Sequence, residues 1–215
     1  ASSDGDLYFD IEGFQFTEAG PLEYLFGFHD PTNSRFHAFW AHSPEEERVA
    51  FEQAVALMVA TRAEHPGMHV FHYNTYEPAA LRRLAARHST RVAEVDALCS
   101  GVLVDLLTVA RYAVTTSSLS WSLKSLEKFY RDGRDGTVTE AAGSMVTYDR
   151  WRSTQEPELL ESLEAYNRLD CESLAELKVW LDDLARDRAE ASTELTELEA
   201  ELLGEPDVVE RLRHA

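Results

Sequence analysis

Tyr8-Phe9-Asp10-Ile11-Glu12-Gly13 alternates apolar and polar side chains with the period of a β-strand that has one face turned to a core. With Leu7 included, Leu7, Phe9 and Ile11 share one face, and Tyr8, Asp10 and Glu12 share the other. Two carboxylates then stand one pleat apart. Anions this close, beside apolar neighbours, repel each other and lose hydration, so something must compensate them, and a divalent cation is the usual group.

Working outward, Gly20-Pro21 marks a turn, Leu22 to Phe28 reads as a second strand, and Asp30-Pro31-Thr32-Asn33 is a strong turn before a third strand, Arg35 to Trp40. Two short turns between adjacent strands predict an antiparallel meander. Ser43-Pro44-Glu45-Glu46 opens a helix, with Ser43 as cap, Pro44 at the first helical position and Glu46 completing a capping box. Phe51, Val55, Met58 and Val59 form its apolar stripe, and Pro66-Gly67 ends it. Met68 to His72 reads as a buried strand, and one reached through a helix should lie parallel to a neighbour.

Pro78 begins a helix through about His88, Arg91 to Cys99 is a further helical piece, and Leu103 to Leu107 is strand-like or helical. A short helix follows Ser120-Trp121-Ser122, and the Gly-, Asp- and Arg-rich Arg131 to Gly143 reads as a mobile loop. The last long helix starts near Glu156-Pro157. Its face carries Leu159, Leu163, Tyr166, Asp170, Leu174, Leu177, Leu181 and Leu184, at steps of 4, 3, 4, 4, 3, 4 and 3. Leu195, Leu198 and Leu202 either continue it or form a separate amphipathic helix. The fold class is therefore α/β, a mixed sheet of antiparallel meander plus parallel strands flanked by helices. The domain is expected over residues 5–186, with an acidic helical extension over 187–215.

At 215 residues the chain is long enough for a sizeable core. No apolar run approaches the roughly 20 residues a membrane helix needs, so no membrane partner is expected. The two cysteines, Cys99 and Cys171, are too few for a disulfide framework and lack metal-ligand spacing, which points to a reducing cytoplasm. The histidines likewise show no spacing that would make a zinc site. The net charge of −19 argues against gripping nucleic acid with the whole surface, so any such contact must be local, metal-assisted or supplied by other domains.

Two further acidic stations join the first strand. Asp170 sits on the apolar stripe of the last helix one turn after Tyr166, and a carboxylate aimed at a core must be hydrogen-bonded or metal-bound. Glu77 closes His72-Tyr73-Asn74-Thr75-Tyr76-Glu77, between the buried strand and the next helix, near the carboxyl ends of the strands where ligands collect in α/β sheets. Either role, ligand or first-turn acid favoured by the helix dipole, suits it.

Together these segments resemble the ribonuclease H-like 3′-5′ exonuclease domains of the DEDD group in the tyrosine-bearing subtype. More closely, Asp10-Ile11-Glu12-Gly13, His72-Tyr73-Asn74 with Tyr76-Glu77, Ser122-Leu123-Lys124 and Tyr166-Asn167-Arg168-Leu169-Asp170-Cys171 resemble the ribonuclease H-like domain that accompanies RecB-like nuclease modules in bacterial proteins. The resemblance spans about residues 5–185 and omits the acidic tail.

It implies that Asp10, Glu12, Glu77 and Asp170 hold two Mg²⁺ or Mn²⁺ ions for phosphodiester hydrolysis, and that Tyr166 orients or deprotonates the attacking water. The sequence departs from the family at Glu77, where Asp is usual; Asp105 is a rival fourth ligand. Lys124 is a candidate for a phosphate, and Asn74, Tyr73, Tyr76 and Trp121 are candidates for contacts with unpaired bases; His72 is at most a supporting neighbour. The expected partners are single-stranded nucleic acid, DNA first, and nuclease or helicase domains of the same polypeptide, in a repair setting. The competing expectations are a catalytically weak or inactive module that binds nucleic acid or a partner domain without cutting, and a scaffold for an acidic interaction helix beyond Arg186.

Overall fold

β1 (Leu7–Thr17), β2 (Gly20–Asp30) and β3 (Arg35–Trp40) form the expected antiparallel meander. The computed structural model of the chain describes residues 3–116, 120–131 and 141–204. Gly20 makes the β1–β2 turn possible with a φ of +98°, a conformation that side-chain-bearing residues rarely adopt. On the other side of β1, β4 (Val70–His72) and β5 (Leu103–Asp105) add in parallel, giving the order β3-β2-β1-β4-β5. The fold class read from the sequence holds.

One face of this sheet is the main core. Leu7, Phe9 and Ile11 of β1 and Phe26 and Phe28 of β2 pack there against α1 (Pro44–Glu64), α2 (Tyr76–His88) and α3 (Val92–Gly101), with the Phe9 and Phe28 rings stacked at 4.3 Å. α1 starts as its sequence dictates: Ser43 accepts a hydrogen bond from the Glu46 amide, while Glu46 reaches one residue further back and accepts from the His42 amide. The buried stripe runs through Ala50, Phe51, Ala54, Val55 and Met58, and Val59 faces solvent.

The register slips between Glu12 and Gly13, so Gly13 pairs with Glu23 while Glu12 pairs with Leu25. This bulge turns Tyr24 and Leu25 to the same face, the one that carries Asp10 and Glu12. There they join Phe14, Leu22, Leu163 of α7 and Tyr148 of α6 in a second core.

α2 begins at Tyr76, two residues before Pro78. The ambiguous segment resolves into both alternatives: β5 ends at Asp105, and α4 (Leu106–Ala113) starts immediately, capped by the Asp105 side chain. α5 (Leu123–Glu127) is capped by Ser122. Most of the expected mobile loop, residues 132–140, lies outside the described residues. α6 (Ala141–Thr154) was not expected, because Gly143 followed by Ser144, Val146 and Thr147 weakens its helical pattern. α7 runs without interruption over Pro157–Gly204, so the tail's Leu195, Leu198 and Leu202 continue the long helix.

By internal packing the chain divides into two units, one ending at Leu177 and one beginning at Lys178. The second is helical as far as it is described, with Arg186–Asp183 (3.0 Å) and Lys178–Asp182 ion pairs within it. No helix among the described residues is long and apolar enough to cross a membrane.

Candidate metal centre

Asp10 and Glu12 leave β1 on the face opposite the main core, and α7 crosses that face near them. Gly27 lets it come close. A Cβ at Gly27 would lie 1.6 Å from the Asn167 Oδ1 and 2.9 Å from the Phe36 ring, so only glycine lets α7 approach the sheet here. Asn167, fully buried, donates through Nδ2 to the Asp10 Oδ2 at 2.7 Å, and the Cys171 thiol reaches the Gly27 carbonyl. The approach brings Asp170 to the first-strand acids: Asp10, Glu12 and Asp170 each offer an oxygen, and the three oxygens lie within 4.8 Å of one another.

Glu12 is the most deeply buried of the first-strand acids. Its Oε2 accepts from the Ser144 hydroxyl at 2.8 Å and from the Tyr24 hydroxyl at 3.4 Å. Burial pushes its carboxyl up to about 8, and the Asp170 carboxylate adds to the rise, while Ser144, Tyr24 and the more distant Lys124 charge partly offset it. Tyr148 stacks face to face on Tyr24 at 3.9 Å and bonds to His42 at 3.1 Å, which seats α6 and so places Ser144.

The other expected site residues are distributed around this group. Tyr166 is buried, and its hydroxyl accepts from the Lys124 ammonium at 2.9 Å, which also lies 4.7 Å from the ring centre. Glu77 is buried at the start of α2, its Oε2 is 3.4 Å from the His72 Nδ1, and it lies outside the group of three. Burial raises its carboxyl, and His72 opposes the rise. Glu77 nevertheless shares its surroundings with the trio: burial raises the Cys171 thiol well above its ordinary value, and Asp10, Asp170 and Glu77 all add to that rise.

Asp105 is occupied by the fold. It accepts from the amides of Asn74 (2.7 Å) and Leu107 (2.9 Å) and from the Thr108 hydroxyl (2.6 Å). Asn74 is exposed, with φ at +72°, a left-handed conformation that asparagine tolerates better than most residues. The Tyr76 hydroxyl bonds to Glu23 across Gly13, at 3.0 Å. Trp121 is half-buried, its carbonyl accepts from the Tyr73 hydroxyl, and the Arg111 guanidinium lies over its ring at 5.8 Å.

The family model RNase_H_2, of the RNase_H superfamily, matches residues 7–182. The chain belongs to this RNase H family. Comparisons with curated proteins and with solved structures returned no match.

RNase H-like nucleases generally use divalent metal ions, and the donor set fits such an ion. Three carboxylates offer only hard oxygen ligands, which suit Mg²⁺ or Mn²⁺ better than Zn²⁺. Glu12 answers its burial with neutral hydroxyls, and a cation would lower its charging cost far more.

Three residues that shape this candidate centre had no role assigned from the sequence. Tyr24 needs the β-bulge to reach Glu12, and nothing local signals that bulge. Asn167 lies inside the segment that carries the resemblance. Ser144 sits on the unexpected α6, whose Met145, Tyr148 and Trp151, at steps of three, were the available signal.

Proposed function

We propose that this RNase H family member is a metal-dependent 3′-5′ exonuclease of the tyrosine-bearing DEDD subtype, hydrolysing phosphodiester bonds at the ends of single-stranded nucleic acid, DNA first. The observation that carries the reading is the convergence of Asp10, Glu12 and Asp170 oxygens from β1 and α7 within 4.8 Å. Asp10, Glu12 and Asp170 would hold one divalent ion, and Glu77 would contribute to holding a second. Bound divalent ions supply a Lewis acid for the scissile phosphate and a lowered pKa for the attacking water.

The chain's own residues provide position and proton handling. Asn167 fixes the Asp10 carboxylate by holding Oδ2, and Ser144 with Tyr24 fixes Glu12 by holding Oε2. Tyr166, held by Lys124 one helical turn from Asp170, would orient the attacking water or accept its proton. The Lys124 ammonium at the same hydroxyl favours phosphate in the site, while Asn74, Tyr76 and Trp121 are candidate contacts for the strand. The reading includes nuclease or helicase domains of RecB-like type as partners in one polypeptide, in the cytoplasm.

One observation favours a second reading, a nucleic-acid-binding module that does not cut: Glu77 lies outside the 4.8 Å trio and is engaged by His72. The two readings separate on incubation of the purified chain with an end-labelled oligonucleotide and Mg²⁺ or Mn²⁺, beside an Asp10→Ala control. Stepwise shortening from the 3′ end by the wild type alone is the expected result. Binding without shortening establishes the second reading, and equal degradation by both proteins reveals a contaminant and overturns the first.

A further inference from the structure

The chain carries 39 acidic and 20 basic residues, so a phosphate backbone needs a place where this imbalance is locally reversed. Two stretches qualify. Arg82 to Arg91 contains four arginines and no acid, but three of the four are spent on ion pairs, Arg83 with buried Glu23, Arg87 with buried Glu47 and Arg91 with Glu94, which leaves only Arg82. The second runs through α4 and α5, over residues 106–116 and 120–131, with Arg111, Lys124, Lys128 and Arg131 against the single acid Glu127. That acid is buried and accepts from the Ser173 hydroxyl at 2.6 Å, and Arg131 is taken by Glu176.

Arg111 and Lys128 are exposed and have no ion-pair partner among the described residues. Aromatic rings accompany them. The Arg111 guanidinium lies over the Trp121 indole, Tyr73 holds the Trp121 carbonyl, and Phe129, next to Lys128, is 45% exposed. Asp105, the neighbouring acid, is saturated by Asn74, Leu107 and Thr108. The inner end of this surface is Lys124, whose ammonium sits on Tyr166, one helical turn from Asp170. A positive, ring-bearing strip therefore runs from the acidic trio outward over α5 to α4.

We infer that this α4–α5 surface is the track for an unpaired strand, with Arg111 and Lys128 meeting its phosphates and the Arg111–Trp121 pair giving a plane on which a base stacks. The inference rests on the nuclease reading for which strand end enters the trio, but the track itself does not require hydrolysis. Stacking on an open ring needs a base freed from its partner, so a duplex is a poorer ligand than a single strand. Phosphates and open base faces are common to DNA and RNA, and an oligo-dT and an oligo-rU probe tell the two apart.

The test is fluorescence anisotropy of a labelled dT oligomer bound to the full chain in EDTA, where no cleavage interferes, over a range of salt. Arg111→Glu and Lys128→Glu, both on exposed side chains, are each expected to weaken binding about tenfold at low salt and to reduce the salt slope by about 0.7 for each phosphate no longer neutralised. Trp121→Ala, checked for an unchanged melting temperature, is expected to weaken binding about tenfold with its slope unchanged. Unaltered affinity and slope in both charge reversals overturn the track, as does a duplex that binds as tightly as the single strand. Should the wild type cut while both reversals bind normally, the track fails and the nuclease reading stands. Should binding depend on Arg111 and Lys128 while Mn²⁺ elicits no cutting, the track stands and the nuclease reading fails.

Discussion

The β1–β2 hairpin buries acids on both of its faces, and the two clusters are compensated in different ways. On the α1–α2 side, Glu23 and Glu47 are almost fully buried. Glu47 accepts from the Glu23 amide at 2.8 Å, from Arg87 at 2.9 Å and from His88 at 2.9 Å, and Glu23 is bound by Arg83 and Tyr76. On the α6–α7 side, Glu12 accepts from the Ser144 and Tyr24 hydroxyls and feels the Lys124 charge, and Asp10 is held by the Asn167 amide. The first cluster carries its own cations and is complete as folded. The second brings three carboxylates together, with hydrogen bonds from the neutral Ser144, Tyr24 and Asn167 supporting Glu12 and Asp10, a donor set that a divalent cation would complete.

That contrast predicts where mutation acts. The largest effect belongs to the open cluster in an activity assay: Asp170→Asn is expected to reduce Mn²⁺-dependent hydrolysis by about 10³-fold, as loss of direct metal coordination implies, while leaving the melting temperature in EDTA unchanged or raised. Glu47→Ala in the complete cluster should do the reverse. It strands Arg87, His88 and the Glu23 amide, so chemical denaturation is expected to show a loss of about 3–5 kcal/mol, with Mn²⁺ affinity retained in the folded fraction.

Gly27→Ala sharpens the comparison from the packing side. Its methyl would collide with Asn167, pushing α7 away from β1, at an expected cost of about 1–3 kcal/mol in stability together with weaker ion binding by calorimetry. Ser144→Ala should weaken ion binding about tenfold, as for other outer hydrogen bonds to metal ligands, with little change in stability, and Ser144→Thr should recover part of that loss.

The smallest effect is in pH dependence. Glu12 has a folded value of about 8, above its ordinary 4.5, so without ions the folded state keeps a proton that the unfolded chain releases. Stability in EDTA is therefore expected to fall as pH rises from about 4.5 to about 8, with the raised Glu23 and Glu77 adding in the same direction. Saturating Mn²⁺ should flatten that slope in melting curves, because the ion takes the place of the proton.

The features that were legible in the sequence are those written into short-range pattern. The alternation of Leu7 to Glu12, the turn residues at Gly20-Pro21 and Asp30-Pro31, the cap at Ser43 and the three-four spacing of α7 each encode local geometry, and the sheet and long helix follow from them. Asp170 stood out because a carboxylate on an apolar stripe is out of place. The supports of the site were not legible for the opposite reason. Tyr24 reaches Glu12 through a register slip set by pairing between strands, Ser144 through a helix whose seat is the stacked Tyr24, Tyr148 and His42, and Asn167 through the gap at Gly27 on another element. Each depends on residues far apart in the chain. Glu77 shows the same limit from the other side. Its place near the start of α2 was legible, but its burial beside His72 depends on the neighbouring strand and was not.

The most direct measurement is the anomalous difference map of a Mn²⁺-soaked crystal. A peak is expected at about 2.0–2.3 Å from carboxylate oxygens of Asp10, Glu12 and Asp170 together, absent from Asp10→Asn crystals soaked in the same way. Crystals that take up Mn²⁺ elsewhere and leave these three carboxylates without density between them would contradict it.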